Sequence, residues 1–218
     1  MKSECFAGSS VSFPEFTGER VYMHEFIPSI GLPKELERWQ KTVDAMLIGV
    51  NAPGSVYLMI DQAEVKAGNC HRRPGLHVDG YWYAGDHSPN PQHNPTPEPN
   101  IIPEHKPIPK HNPIPNIFPD SPRHNPAPTR HSMVGHSEAL ILASNVEGCM
   151  ALEGDWSGIV DIGGDCDSIA RDNLKVKRML PGVVWLGETG AMLHSALELS
   201  ANALRTVVRL NVPGWVPN

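Results

Sequence analysis

The feature that most restricts the fold of this chain is a proline-rich stretch at residues 87–131. It holds 14 of the 22 prolines and six of the 11 histidines of the 218-residue sequence. Proline fixes φ and has no N–H to donate, so we expect polyproline II, turn or disordered backbone here rather than helix or interior strand. The stretch is therefore an insert, and the residues on either side suffice for about one domain.

Within this insert the pattern H-x-P-x-P occurs five times, starting at the histidines His87, His93, His105, His111 and His124. An ordered insert would present histidine at a recurring place on an extended ridge, which suits an aromatic-lined groove or a soft metal. A solvated, largely disordered loop is the alternative. The pattern leaves open whether the insert is a lid, an arm that binds a protein partner, or a passive loop.

Outside the insert, short apolar runs separated by turn residues predict a mainly β fold. The runs are 55–61 and 75–83 before the insert, and 138–144, 148–154, 157–163, 182–187, 191–197 and 204–212 after it. A single amphipathic helix is predicted over 32–50, where apolar residues recur at helical spacing. Many strands and one helix favour an antiparallel jelly-roll or cupin-like architecture over a doubly wound α/β sheet.

These patterns divide the chain into four segments. They are an N-terminal helical flank at 1–50, the first part of the β core at 51–86, the insert at 87–131, and the remainder of the core at 132–218. The opening residues lack the pattern of a secretory signal, and no stretch approaches the ~18 apolar residues of a membrane span. We therefore expect a soluble, cytoplasmic protein.

Charge and cysteine usage exclude several classes of function. The formal net charge of −6 and the pI near 6.0 give no general attraction to nucleic acid. The four cysteines are Cys5, Cys70, Cys149 and Cys166, and none forms a C-x-x-C pair. Neither a zinc ribbon nor a dithiol redox site is indicated, and we expect reduced, mostly buried thiols.

His77 and Asp79 are the first candidate metal ligands. Residues two apart on a strand point to the same face, so the imidazole and the carboxylate converge while Leu76 and Val78 face the other side. The pair offers two adjacent ligands to a divalent metal. Taken alone, the pair is weak evidence for a metal site. In a chain of this composition, the expected number of H-x-D matches by chance is roughly one half.

The C-terminal segment 182–210 adds residues that strengthen the case for a metal site at this pair. Gly182 opens an apolar strand, His194 follows twelve residues later, and Arg205 lies eleven residues beyond that histidine. With an H-x-D upstream, this order resembles the closing third of the Fe(II)- and 2-oxoglutarate-dependent oxygenases, a family built on the double-stranded β-helix. The resemblance does not extend to the insert or to the first fifty residues.

The resemblance implies a metal site and a reaction. His77, Asp79 and His194 would form a 2-His-1-carboxylate triad that binds Fe(II) and leaves positions open for 2-oxoglutarate and dioxygen (O2). The implied activity is hydroxylation of a C–H bond coupled to decarboxylation of 2-oxoglutarate. The resemblance does not identify the substrate. Prolyl residues (including those of the insert), free amino acids and nucleotides are the candidates.

The resemblance also implies an anchor for the cosubstrate. A planar guanidinium can pair with the distal carboxylate of 2-oxoglutarate through two parallel hydrogen bonds. Family spacing favours Arg205 for this role, and Arg209 competes because it shares a strand face with Arg205. Tyr57 is the candidate for a second polar contact to the cosubstrate.

Other interpretations of the sequence remain open. The pair His136 and Glu138 is a rival metal motif, and Asp165-Cys166-Asp167 could suggest calcium, although a polar turn explains that triplet more simply. A non-catalytic jelly-roll module with a proline-rich interaction arm is the main alternative function. A cupin enzyme with another metal and no cosubstrate is a third, and it would not need Arg205.

Overall fold

A computed structural model describes residues 1–79, 81–83, 130–132 and 137–218 of the chain, with the backbone alone at 81–83, 130–132 and 162. Almost all of the predicted insert, including its five repeats, lies outside the described residues. The same holds for His136 of the rival metal motif.

The described residues are mainly β. The strands are β1 (Lys2–Ser3), β2 (Phe6–Ser10), β3 (Arg20–Phe26), β4 (Val56–Val65), β5 (Tyr81–Tyr83), β6 (Arg130–Ser132), β7 (Glu138–Ser144), β8 (Cys149–Asp155), β9 (Lys175–Arg178), β10 (Val183–Glu188), β11 (Leu193–Ala196) and β12 (Ala203–Pro213). A 3-10 helix at Lys34–Trp39 runs into the α-helix α1 at Gln40–Met46, and a second 3-10 turn covers Ile162–Gly164. Within the described ranges, none of these helices is long and apolar enough to cross a membrane.

The strands form two main antiparallel sheets. The larger sheet has six strands in the order β2-β10-β7-β12-β4-β3. The smaller sheet has the order β1-β8-β11, with β9 also paired to β8, and β5 pairs with β6 separately. Every pairing between these strands is antiparallel, which confirms the predicted mainly β, antiparallel class.

One face of the larger sheet packs against the helical segment. Ile141 from β7 and Leu210 from β12 belong to the same buried cluster as Trp39 and Val43 from the helices. Each is essentially inaccessible to water, and burying an aliphatic side chain of this size contributes about 2 kcal/mol. This cluster is the principal core, and it fixes α1 against the sheet.

The opposite face of the larger sheet turns toward the smaller sheet. Leu140, the neighbour of Ile141, packs with Trp185 of β10, Ala151 of β8 and Met192. Successive side chains on a strand point to opposite faces, so β7 contributes to both clusters. The space between the two sheets is where the candidate ligands meet.

The structure differs from the sequence predictions in several segments. Residues 1–50, expected as a helical flank, also supply β1, β2 and β3 to the two sheets. The strand predicted at 157–163 is wrong, because this stretch forms bends and a 3-10 turn in which Gly158 and Gly163 have positive φ. The stretch 75–83 is not one strand: His77 makes isolated bridges, and β5 begins only at Tyr81.

Candidate metal centre

The two histidines of the predicted triad are held side by side by backbone hydrogen bonds. The His77 N–H donates to the His194 carbonyl at 3.0 Å, and the His194 N–H donates to the His77 carbonyl at 2.9 Å. The two residues thus form an isolated antiparallel bridge, with ring centroids 4.3 Å apart. Segments far apart in the chain therefore bring both imidazoles to one place.

Asp79 completes the group on the same side of the chain as His77. Its backbone N–H donates to the carbonyl of Thr189 at 3.0 Å, which fixes the extended course of the segment. The intervening Val78 is fully buried in the opposite direction, in a cluster with Leu76. One ligand atom from each of His77, Asp79 and His194 lies within 4.8 Å of the others, so this cluster can bind a metal ion.

The hydrogen bonds of both rings leave the outer nitrogen free for a metal. Nδ1 of His77 lies 2.9 Å from the carbonyl oxygen of Gly75, and Nδ1 of His194 lies 3.0 Å from that of Met192. A carbonyl oxygen only accepts, so each Nδ1 carries the proton and each Nε2 keeps its lone pair. Such backbone bonds orient the imidazoles of metal sites.

The surroundings keep both imidazoles neutral at neutral pH. Burial, followed by the neighbouring His194, lowers the pKa of His77 to about 4. Burial likewise lowers the pKa of His194. Because only the neutral ring can coordinate a metal, these shifts favour metal binding over protonation.

Asp79 is held in its charged form by a cation from the larger sheet. Its Oδ2 lies 2.8 Å from Nη1 of Arg209 and 3.7 Å from Nε2 of His194. Burial alone would raise the pKa of Asp79, but Arg209 and then His194 outweigh it and hold the pKa below its usual value. The carboxylate is therefore ionised and available as a ligand.

The three side chains open into a cavity of about 190 Å³ between the two sheets. Its lining residues are Met59, Arg72, Arg73, His77, Asp79, Leu142, Cys149, His194, Ala196, Val207 and Arg209. Leu142, Val207 and Arg209 come from the larger sheet, whereas Cys149 and Ala196 come from the smaller one.

Arg205 lies beside this cavity and is fully buried. Its Nε donates to Oγ of Ser144 and its Nη2 to Sγ of Cys149, both at 3.2 Å. Its Nη1 is buried with no hydrogen-bond partner, and no carboxylate lies within ion-pair distance, among the residues that the structure describes. Arg205 lines a second, small cavity of about 20 Å³ that shares Leu142, Cys149 and Val207 with the first.

The remaining candidates lie elsewhere. Tyr57 is half-buried on β4 and outside the described lining of both cavities, so its role as a cosubstrate contact stays a prediction. Glu138 of the rival motif is buried and accepts a hydrogen bond from Asn211 at 2.5 Å. Asp165 and Asp167 pair with arginines at 3.5 Å, in keeping with a polar turn.

Sequence reasoning missed several residues of the cavity. Arg72 and Arg73 line it, as do Met59 and Cys149. A signal existed for the arginines, because two consecutive cations stand just before the H-x-D motif in the string HRRPGLHVD. Met59 and Cys149 carry no such signal, since only the meeting of the sheets places them there.

Comparisons with protein-family models, with curated proteins and with solved structures give no match for this chain. No relative therefore supplies a substrate, a cofactor or a role for a residue. Any functional assignment rests on the side chains and their geometry.

We predict that Gly164→Ala destabilises the fold and weakens the metal site. Gly164 has a φ of +87°, and a Cβ there would stand 2.0 Å from the carbonyl oxygen of Val78, between the two candidate ligands. The strain and the clash should lower the free energy of unfolding by about 2 kcal/mol or more, measured by urea denaturation. Gly54→Ala is the control, because nothing lies within 4 Å of its Cβ position. Equal stability of both variants would contradict this prediction.

Acid should destabilise the metal-free protein in a defined range. His77 has its pKa lowered to about 4 in the folded chain from 6.5, so the unfolded chain binds more protons between these values. The free energy of unfolding should therefore fall by about 3 kcal/mol as the pH drops from 6.5 to 4. Chemical denaturation across this range measures the fall, and His77→Gln should reduce it. A stability that stays constant or rises toward pH 4 would refute the assignment of His77 as a buried neutral imidazole.

Proposed function

We propose that this chain is an Fe(II)- and 2-oxoglutarate-dependent oxygenase that hydroxylates a substrate in the cytoplasm. The observation that carries the proposal is the convergence of His77, Asp79 and His194, whose ligand atoms lie within 4.8 Å of one another at an inter-sheet cavity. Two nitrogens and one carboxylate oxygen on one side of an ion form the donor set of non-haem Fe(II) oxygenases.

The architecture supports the same proposal. Two antiparallel sheets face each other, and the three ligands lie in the space between them rather than on an outer surface. This arrangement agrees with a double-stranded β-helix, in which the larger and smaller sheets would be the two walls of the barrel. The proline-rich insert follows closely after the first two ligands in sequence, and we propose it as an arm for a protein partner.

The donor set fits the implied metal. Both Nε2 atoms keep their lone pairs and Asp79 is ionised, so no proton has to be displaced at neutral pH. Bound Fe(II) would supply the oxidative chemistry, with 2-oxoglutarate as the electron donor that is converted to succinate and CO2. The protein would contribute orientation of the ligands, an apolar wall at Leu142 and Val207, and exclusion of water.

Arg205 is the better anchor for the distal carboxylate of 2-oxoglutarate. A buried cation without an anionic partner is costly, and Nη1 of Arg205 lacks even a hydrogen bond among the described residues. A carboxylate from the cosubstrate would remove this cost. Arg209, by contrast, already pairs with Asp79 and donates from Nε to Asn211 at 2.8 Å.

The backbone is shaped to accommodate this guanidinium. A Cβ on Gly148 would stand 2.7 Å from Cζ of Arg205, so only glycine allows the β8 side of the barrel to approach the guanidinium so closely. The hydrogen bonds to Ser144 and Cys149 hold the side chain in one position. A preorganised guanidinium loses less entropy when it binds a carboxylate.

The proposal is tested by incubating the chain with Fe(II), 2-oxoglutarate and O2 and measuring succinate. We expect succinate release even without an added substrate, and we expect Asp79→Ala to abolish it. Asp172→Ala, at an exposed turn, is the matched control and should retain the activity. Wild-type turnover no higher than that of Asp79→Ala would contradict the proposal and leave the two alternatives, a non-catalytic structural module and a metal enzyme without this cosubstrate.

A further inference from the structure

The cavity beside the candidate metal ligands carries an excess of positive charge. Three arginines, Arg72, Arg73 and Arg209, line it, against the single carboxylate of Asp79. A divalent ion would add two positive charges and the 2-oxoglutarate dianion would remove two, so the excess would persist in the loaded site. Such a cavity favours a further anionic group.

Of the three arginines that line this cavity, Arg73 is the least neutralised by its surroundings. Arg72 pairs with Asp61 at 2.8 Å, and Arg209 pairs with Asp79 at 2.8 Å. Arg73 has only a carboxylate at 3.5 Å, that of Asp165, whose side chain is half exposed to water. Its positive charge is therefore the one most available to a ligand.

The least engaged hydrogen-bond donors of Arg73 lie on one edge of its guanidinium. Nη1 donates to the carbonyl of Gly163 at 2.8 Å and fixes the group. Nε is buried without a hydrogen-bond partner among the described residues, and Nη2 has only the Asp165 carboxylate at 3.5 Å. These two N–H groups point the same way and match two oxygens of a carboxylate or phosphate.

We propose that Arg73 binds an anionic group of the primary substrate, a carboxylate or a phosphate, next to the metal ligands. The claim that this anion belongs to the substrate of an oxygenase rests on the proposed function, whereas the anion site itself does not. Arg73 stands four residues before His77 and lines the same cavity, so an anion bound there lies close to the reaction centre. Arg72 adds its charge at the same cavity wall.

The cavity volume restricts what such a substrate can be. At about 190 Å³ the cavity is smaller than the sites that enclose whole drug-sized ligands, which begin at about 300 Å³. The cosubstrate would occupy much of this space. The substrate is then a small anion, or a larger molecule that inserts only its anionic end.

The test uses the full chain without metal or cosubstrate, with inorganic phosphate and acetate as separate probes at constant ionic strength. Calorimetry should show that Arg73→Gln weakens binding of at least one probe by about tenfold or more, because a charge-assisted fork is lost. Arg171→Gln is the matched control, since Arg171 is exposed and pairs with Asp167 outside the cavity. Equal binding by wild type and Arg73→Gln, or equal weakening in both variants, would overturn the inference.

A second pair of measurements separates this site from the cosubstrate site. Arg73→Lys keeps the positive charge but lacks the two parallel N–H groups, so it should also weaken binding of the probe. If Arg73→Gln does not fold, Arg73→Lys provides the test in its place. With Mn(II) bound, Arg73→Gln should bind 2-oxoglutarate about as tightly as wild type. A parallel loss of 2-oxoglutarate affinity would make Arg73 a cosubstrate anchor and overturn the inference. If the chain binds the anion but produces no succinate, the proposed oxygenase activity is refuted and the anion site stands.

Discussion

Alanine in place of His194 is expected to abolish tight binding of a divalent metal. His194 supplies one of three ligands, and its Nε2 is already oriented by the bond from Nδ1 to the carbonyl of Met192. Residues that only support metal ligands contribute about 10–100-fold to affinity, so removal of a ligand should cost more than about 100-fold. Calorimetric titration with Mn(II), a redox-stable stand-in for Fe(II), measures the loss. His77→Ala should behave in the same way.

The control for this prediction is another histidine of the same fold. His24 lies on β3, is half-buried, and is not part of the cavity lining, so His24→Ala should leave Mn(II) affinity unchanged. Mn(II) is preferred to zinc or copper because it binds weakly to clusters of histidine alone, such as the repeats of the insert could offer. Unchanged Mn(II) affinity in His194→Ala would show that the metal, if bound, sits elsewhere.

Methionine in place of Arg205 is expected to remove 2-oxoglutarate binding while metal binding persists. The buried guanidinium has no anionic partner among the described residues, and the side chain of methionine fills much of the same volume without the charge. Loss of one member of a buried charge pair costs about 2–5 kcal/mol, which corresponds to at least about a 30-fold weaker affinity. Calorimetry with 2-oxoglutarate on the Mn(II)-loaded protein gives the affinity.

Two further variants make this prediction discriminating. Arg178→Met, at an exposed position, should leave the affinity for 2-oxoglutarate unchanged. If Arg209→Met abolished cosubstrate binding and Arg205→Met did not, Arg209 would be the anchor. If the Mn(II)-loaded wild type itself failed to bind 2-oxoglutarate, the chain would be a metal protein without a 2-oxo acid cosubstrate.

The central strands of the larger sheet could be predicted from sequence because both of their faces are buried. The run 138–144 is apolar almost throughout, and β7 covers the same seven residues. The run 204–212 alternates around Val208 and Leu210, and β12 extends it by one residue at each end. A nearly continuous apolar run, as at 138–144, is typical of a strand buried on both faces, and alternation, as at 204–212, is typical of a strand.

The edge strands could not be predicted because they are short or mostly charged. β9 consists of Lys175–Arg178, a mostly charged run, and β1 has only two residues. Their pairing depends on the neighbouring strand β8, not on their own composition. The opposite error at 157–163 arose because the isoleucines and valine suggested a strand, whereas glycines at positive φ break the ladder there.

The candidate site was predictable only in part. The spacing of His77 and Asp79 places both on one side of an extended segment whatever the fold, and the family order adds His194. The pairing of Arg209 with Asp79 depends on how the larger sheet meets the ligand segment, which no local pattern contains. The same applies to Arg73, whose weakly paired guanidinium becomes evident only when its surroundings are known.

The most direct test of the metal centre is anomalous diffraction from crystals grown with Mn(II). We expect one strong peak per chain within bonding distance of Nε2 of His77, Nε2 of His194 and a carboxylate oxygen of Asp79. Crystals of His194→Ala grown in the same way should lack that peak. A wild-type peak bound by other residues, or no peak between the two sheets at saturating Mn(II), would contradict it.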